Sequence, residues 1–332
     1  MDSSMIVSLG AQQFDRLRER GGLYVDKTAF IQEWWESGAD VTLITRPRRF
    51  GKTLNMSMLE CFFSNQYAGR GDLFEGLEIW KDEKYRQLQG TYPVICFSLA
   101  GVKAGNMKDM KAMVKIVIAN LYGRYREILK SDKFDENDRE AFRAVNEKME
   151  DVKAQTAINM LCLFLQKYYE KEVLVLLDEY DTPMQEAWIG GYWEEAAGFF
   201  RSFFDNTFKT NPCLYHGIIT GITRISKESI FSDLNNLNVV TTTSEEYAVS
   251  FGFTEEEVFG ILERVGLGEE KEQVKHWYDG FIFGSHTDIY NPWSITSFVK
   301  NNGKYSAYWV NTSSNGLLHS LVQTGKAEMI KP

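Results

Sequence analysis

Four short apolar runs, at 41–44, 92–100, 173–177 and 214–220, are separated by longer segments in which apolar residues recur every three or four positions. Continuous runs of that length predict strands buried on both faces, and the spacing between them is that of helices. Strands alternating with helices predict an α/β fold, a mostly parallel sheet flanked by helices. Short helices are expected over 12–20 and 27–37, with Asp26 as N-cap of the second. A longer one starts at Gly51 and carries Met58, Leu59, Phe62 and Phe63 on one face. Three helical stretches follow between 104 and 170, and the charged residues from Asp132 to Lys153 predict a solvated helical hairpin inserted after the second strand. Residues 192–209 mix aromatic and charged side chains as an amphipathic helix does.

Beyond residue 250 the pattern becomes helical. Thr254-Glu255-Glu256-Glu257 is a capping box opening a helix over 255–265, and a further helix over 270–277 breaks at Tyr278-Asp279-Gly280. Asn291-Pro292-Trp293 then supplies an N-cap and a first-position proline. The expected division is a core over 1–250, with a helical insertion at about 104–170, and a small helical, lid-like domain over 251–332 whose end is truncated. The 332 residues exceed the usual size of one core, which agrees with two units.

The first and third strands end in chemistry. Strand 41–45 runs into Thr45-Arg46-Pro47-Arg48-Arg49-Phe50-Gly51-Lys52-Thr53-Leu54, a loop and helix start of phosphate-cradle form. Backbone N–H groups at such a turn converge on anionic oxygens, with about half a positive charge from the helix dipole. Lys52 is expected on the phosphates and Thr53 on Mg²⁺, with residues 46–54 forming the nucleotide-binding loop. The pattern G-x-x-x-x-G-K-[ST] asks for glycine where Arg46 stands, and Pro47 biases Arg46 toward a strand continuing one residue further. Arg46, Arg48 and Arg49 are candidates to offset polyphosphate charge, to pair with nearby acids or to meet another chain.

Val173-Leu174-Val175-Leu176-Leu177-Asp178-Glu179 supplies the complementary half, a Walker B segment. Ligands gather outside the carboxyl ends of parallel strands, so both strand ends are expected at one crevice. Asp178 is the candidate Mg²⁺-side carboxylate and Glu179 the candidate base for the attacking water. Thr182-Pro183-Met184-Gln185 reads as the start of a capped helix, with Asp181 part of that start rather than a third metal carboxylate. At the end of the fourth strand, Thr220 is a candidate contact to water or γ-phosphate and Arg224 a candidate charge sensor or finger. A hydroxyl bonded to backbone and a surface ion pair are their plain alternatives.

Composition narrows the classes further. With 44% apolar and 25% charged residues the chain is an ordinary globular protein. A net charge of −9 argues against non-specific attraction to nucleic acid or anionic membrane, which leaves any such contact to a local basic patch. Cys61, Cys96, Cys162 and Cys213 and the four histidines show no metal-ligand spacing, so no structural zinc is expected. Met1-Asp2-Ser3-Ser4 is not a basic signal-peptide start and no apolar run nears the eighteen or so residues of a membrane span, which predicts a cytoplasmic protein.

Taken in order, Tyr24-Val25-Asp26-Lys27-Thr28, Arg46 to Leu54, Leu176-Leu177-Asp178-Glu179-Tyr180-Asp181, Thr220 to Lys227, Phe251-Gly252-Phe253-Thr254 and Tyr290-Asn291-Pro292-Trp293-Ser294 make the chain resemble the predicted AAA-ATPase-like family of bacterial P-loop proteins. The resemblance implies an additional-strand P-loop ATPase core with a C-terminal helical lid, and makes the arginine at 46 a family trait. Many members continue into a PD-(D/E)XK nuclease-like domain, whose carboxylates and lysine are not evident after residue 294.

Three readings stay open at this point. The first is an Mg²⁺-dependent ATPase, in which Lys52, Thr53, Asp178 and Glu179 do the chemistry. The second is an ATP-gated switch or scaffold with little turnover, acting on a homo-oligomeric or protein partner. The third is a nucleic-acid-processing module coupled to a missing nuclease domain. GTP is disfavoured because no Asn-Lys-x-Asp segment is present. Tyr24 to Thr28 is the candidate base-pocket segment, with a helix cap at Asp26 as the alternative.

Overall fold

The computed structural model of the protein describes residues 7–223, 230–231 and 234–309. In chain order, α1 (Phe14–Glu19) and α2 (Ala29–Glu36) precede β1 (Val41–Thr45), and α3 (Lys52–Phe63) and α4 (Glu83–Leu88) precede β2 (Val94–Ser98). Next come α5 (Met107–Arg124), α6 (Glu136–Arg143), α7 (Asp151–Tyr169), β3 (Val173–Asp178), α8 (Thr182–Gly190), α9 (Trp193–Phe208), β4 (Leu214–Gly221) and β5 (Leu237–Val240). The last elements are β6 (Phe253–Thr254), α10 (Glu255–Arg264), α11 (Lys271–Tyr278), β7 (Phe281–Phe283), β8 (His286–Tyr290) and α12 (Pro292–Lys300).

The first five strands form one parallel sheet in the order β2-β3-β4-β1-β5. Side chains alternate across a strand, so each strand feeds two cores. Val173, Val175 and Leu177 join the layer of α5, α7 and α9, while Leu174 and Leu176 join Phe14, Trp34, Met58 and Phe62 of α1, α2 and α3. Burial on both faces explains why these strands read as unbroken apolar runs. The helical period of α3 holds: Met58, Leu59, Phe62 and Phe63 are all fully buried.

Three local expectations are corrected. The charged stretch holds the short helix α6 alone before α7 begins, and Phe134, Phe142, Val145 and Met149 bury themselves in the core. Its charges are solvated, but its apolar minority docks it. Thr28, not Asp26, precedes α2, and Asp26 instead accepts from the amides of Thr28 (2.9 Å) and Glu78 (2.7 Å). After residue 250 the helices are threaded by an antiparallel sheet, β6-β8-β7, which the helical pattern does not announce. Strands of two to five residues carry too little periodicity to be read: β7 and β8 form a hairpin, and β6 pairs with β8 from before α10. The capping box of Thr254 and Glu257 and the Asn291 cap are present as expected.

A third cluster, centred on Ile261, Tyr290 and Phe298, packs α10, α11 and α12, and Val7, Leu23 and Val25 lie against it. Among the described residues no helix is long and apolar enough to cross a membrane.

Candidate functional site

β1 ends at Thr45, not one residue further: the Arg46 amide donates to Gly221 O at 3.2 Å, which completes the last pair of the ladder, Thr45 with Gly221. The chain then turns through Arg49 (φ 68°) and Gly51 (φ 85°) into α3. Left-handed backbone at Gly51 suits glycine, and a Cβ there would meet nothing within 4 Å, so the turn opens onto free space. Lys52, the first residue of α3, is only 4% exposed. Its Nζ donates to Arg46 O and Pro47 O, both at 3.0 Å, so the lysine curls back over its own loop. Burial pulls the Lys52 ammonium below the usual lysine range, opposed by the carboxylates of Glu179, Asp178 and Asp181.

The strand order decides what faces this loop. β4 stands between β1 and β3, so Thr220 at its end lies beside Asp178 at the end of β3. The Thr220 hydroxyl donates to Asp178 Oδ1, and the Thr53 hydroxyl donates to Asp178 Oδ2 at 2.7 Å. Asp178, buried to 4% exposure, is thus held from both sides by hydroxyl donors, one from the phosphate-type loop and one from β4.

Glu179 follows in a left-handed conformation (φ 55°), which swings its side chain away from the line of the strand. Burial raises its pKa; Lys52 opposes the shift, Asp178 and Asp181 add to it, and the Thr182 hydroxyl at 3.3 Å from Oε2 counters it. Thr182 is therefore the first residue of α8 rather than its cap. Asp181 stands at the start of α8 as expected, its carbonyl accepting from the Gln185 amide at 2.9 Å, and its side chain does more than that. Fully buried, its Oδ2 accepts from the amides of Ile222 (3.0 Å) and Thr223 (2.8 Å), from the Thr223 hydroxyl (2.8 Å) and from Gln185 Nε2 (2.9 Å). It latches the segment that leaves β4 to the start of α8.

A cavity of about 950 Å³ gathers these groups, with Lys52, Thr53 and Glu179 on its wall. Pro47, Arg48, Arg49, Phe50, Gly51 and Leu54 also line it. Asp178 and Thr220 reach it through Thr53. Arg46 does not belong to the wall, a correction to its expected place among the phosphate-facing arginines. Its guanidinium is fully buried on the far side of the loop, donating to backbone carbonyls and lying over the rings of Phe283 (4.8 Å) and Phe251 (5.6 Å). Arg48 is exposed at the cavity, and Arg49 stacks on Trp293 at 3.8 Å. Arg224 lies outside the described residues.

Tyr24, Val25 and Lys27 line the same cavity, so the segment before β1 does reach the site. Lys27 is held there by Glu257 and by Val249 O, all at 2.7 Å. Lys103 and Glu186, which carried no local signal, also line it, as does Trp293, legible only as part of a helix start. Each arrives from a different element, after β2, on α8 and on α12, so only folding brings them together.

One curated relative, an uncharacterized protein in the vnfD 5′ region of Azotobacter chroococcum mcd 1, is 25% identical over 327 residues. The alignment covers 96% of this chain and 56% of that protein, so the chain spans little more than half of its relative's length. No solved structure matches. The family model described as predicted AAA-ATPase matches residues 8–231, which includes the loop at 46–54, the acidic pair at 178–179 and Thr220, and the chain belongs to that family.

Proposed function

We propose that the cavity binds Mg²⁺-ATP and that the protein hydrolyses it. The observation that carries this reading is the contact between Thr53 and Asp178, 2.7 Å apart, on the same cavity as the buried Lys52. A strand-end carboxylate and a helix-start hydroxyl, brought together from residues 125 apart in sequence, form an oxygen-only donor pair suited to a hard cation such as Mg²⁺. Thr53 and Asp178 would hold the ion, which when bound offsets phosphate charge. The interposed β4 is the feature that makes the core an additional-strand P-loop fold in this reading.

Each residue then has a defined task. Lys52 exchanges its two carbonyl acceptors for phosphate oxygens, its charge raised in value by the dry site. Amides of residues 48–53, leading through the left-handed turn into α3, donate to the same oxygens. Glu179, with a pKa raised by burial, takes the proton of the attacking water. Thr220 holds the Asp178 carboxylate in place, and Arg224 remains the charge-stabilising candidate by sequence position. The base would lie toward Tyr24 and Val25, which line the cavity between the second cluster, where Tyr24 packs, and the third, where Val25 packs.

Lys52→Ala should lose ATP binding, whereas Glu179→Gln should bind ATP and lose turnover by about 10²–10⁴-fold. Equilibrium binding of a fluorescent ATP analogue and phosphate release measure the two. Unchanged phosphate release in Glu179→Gln would remove Glu179 from the mechanism. A nucleotide-gated switch is the second reading, favoured by the contacts of Arg49 with Trp293 and of Phe50 with Phe281 (4.7 Å between ring centroids). Turnover measured with and without candidate partners separates it from an autonomous ATPase.

A further inference from the structure

Arg46 is the unexplained member of the loop. It is a large charged side chain with no exposed surface, at a position where phosphate loops carry glycine. Burying a guanidinium is expensive, and here backbone carbonyls offset it: Nη1 donates to Thr241 O (2.6 Å) and Thr45 O (3.1 Å), and Nη2 donates to Glu246 O and Tyr247 O (both 3.3 Å). Burial lowers its pKa to about 10, still cationic at neutral pH. Three of these four acceptors lie about two hundred residues away in the chain, in the segment after β5.

The same residue also presents its own carbonyl to Lys52. Two cations therefore hold the start of the loop, Lys52 from the cavity side and Arg46 from behind. Phe50 adds an apolar bolt at the other end of the loop: it is buried against Phe281 and Phe283, and its carbonyl accepts from the Gly252 amide at 3.2 Å. Gly252 is itself left-handed (φ 87°), and a Cβ there would stand 2.9 Å from the Phe50 ring and 2.7 Å from Ile289. When Lys52 turns to a phosphate, the carbonyls of Arg46 and Pro47 lose their donor, and the loop's opening is then held by Arg46 alone.

We propose that Arg46 is the positioning residue of the phosphate loop, tying its opening to the segment 241–247 so that phosphate occupancy and the order of that segment rise together. This rests on the nucleotide reading above and adds to it a region, outside the cavity wall, on which binding depends. Coupling of this kind is reciprocal: what stiffens the segment tightens the nucleotide, and the nucleotide stiffens the segment.

The test uses the unmodified protein first. Hydrogen–deuterium exchange with saturating ATP and Mg²⁺ should slow at 46–54 and also at 241–247 and 281–283. Arg46→Lys keeps the charge but loses the planar fork, and should weaken binding by about tenfold or more with kcat nearly unchanged, since it removes binding made equally in ground and transition states. Phe50→Leu, a milder change at the other bolt, should uncouple protection at 281–283 while leaving that at 241–247. Protection confined to 46–54 and 178–182, or an Arg46→Lys protein that folds and binds ATP as tightly as the wild type, overturns the proposal. No protection anywhere at saturating ATP would instead defeat the nucleotide reading itself.

Discussion

Thr220→Val tests how the acidic end of the site is built. The substitution keeps nearly the same shape on a fully buried strand end and deletes one hydroxyl. That hydroxyl donates to Asp178 Oδ1, while Thr53 occupies Oδ2, so the variant leaves one oxygen of a carboxylate with 4% exposure without its donor. Hydrogen bonds to a charged group contribute about 1.5–3 kcal/mol, and the loss should fall in that range because little water reaches Asp178 to replace the donor. Urea unfolding without nucleotide, followed by the fluorescence of the eight tryptophans, measures it. The decisive comparison is a double-mutant cycle. In an Asp178→Ala background the Thr220 hydroxyl has lost its acceptor, and the same substitution should cost close to nothing or become favourable. An equal cost in both backgrounds, within about 0.5 kcal/mol, would show that the hydroxyl supports something other than Asp178 and refute the reasoning.

Because burial raises the pKa of Glu179, kcat/KM should climb with pH through that raised value, and the limb should vanish in Glu179→Gln. The sign for stability is opposite: the folded state holds this proton more tightly than the unfolded one, so the contribution of Glu179 falls as pH rises from the ordinary carboxylate range through the raised value, as pH-dependent unfolding would show. Gly221→Ala places a Cβ 2.5 Å from the buried ring of Tyr180 and 2.8 Å from Asp181 Oδ1, and should destabilise by about 1–3 kcal/mol in urea unfolding; a neutral result would mean that the latch after β4 yields easily. Asp181→Ala leaves the amides of Ile222 and Thr223 without their acceptor, and should speed amide exchange at 222–223 with less change at 178.

Much of the core was legible residue by residue. The runs at 41–44 and 173–177 are strands because both of their faces are buried, and apart from Thr42 they carry no polar residue until the chain emerges at the site. Lys52, Thr53 and Asp178 could be singled out for the same reason, since polar side chains begin where the apolar run stops, and the fold brings the Thr53 hydroxyl to Asp178 at 2.7 Å. Arg46 misled, since its charge suggests phosphate, and only the carbonyls of Thr241, Glu246 and Tyr247, about two hundred residues distant, show where the guanidinium goes. Asp181 was legible as part of the start of α8, but its partners at 222 and 223 follow β4 in the chain, and only folding brings them to it.

The division follows the range of the forces. Period, capping and strand-end chemistry are local, so the amino-acid order alone determined the α/β class, the loop at 46–54, the acidic pair and the caps at Thr254 and Asn291. Strand order, the pairing of Thr220 with Asp178, the pairing of β6 with β8, and the choice of which loop arginine faces the cavity depend on contacts between segments far apart in the chain. Those contacts are worth nothing to any one segment until the sheet has closed, and for that reason only the tertiary structure decided them.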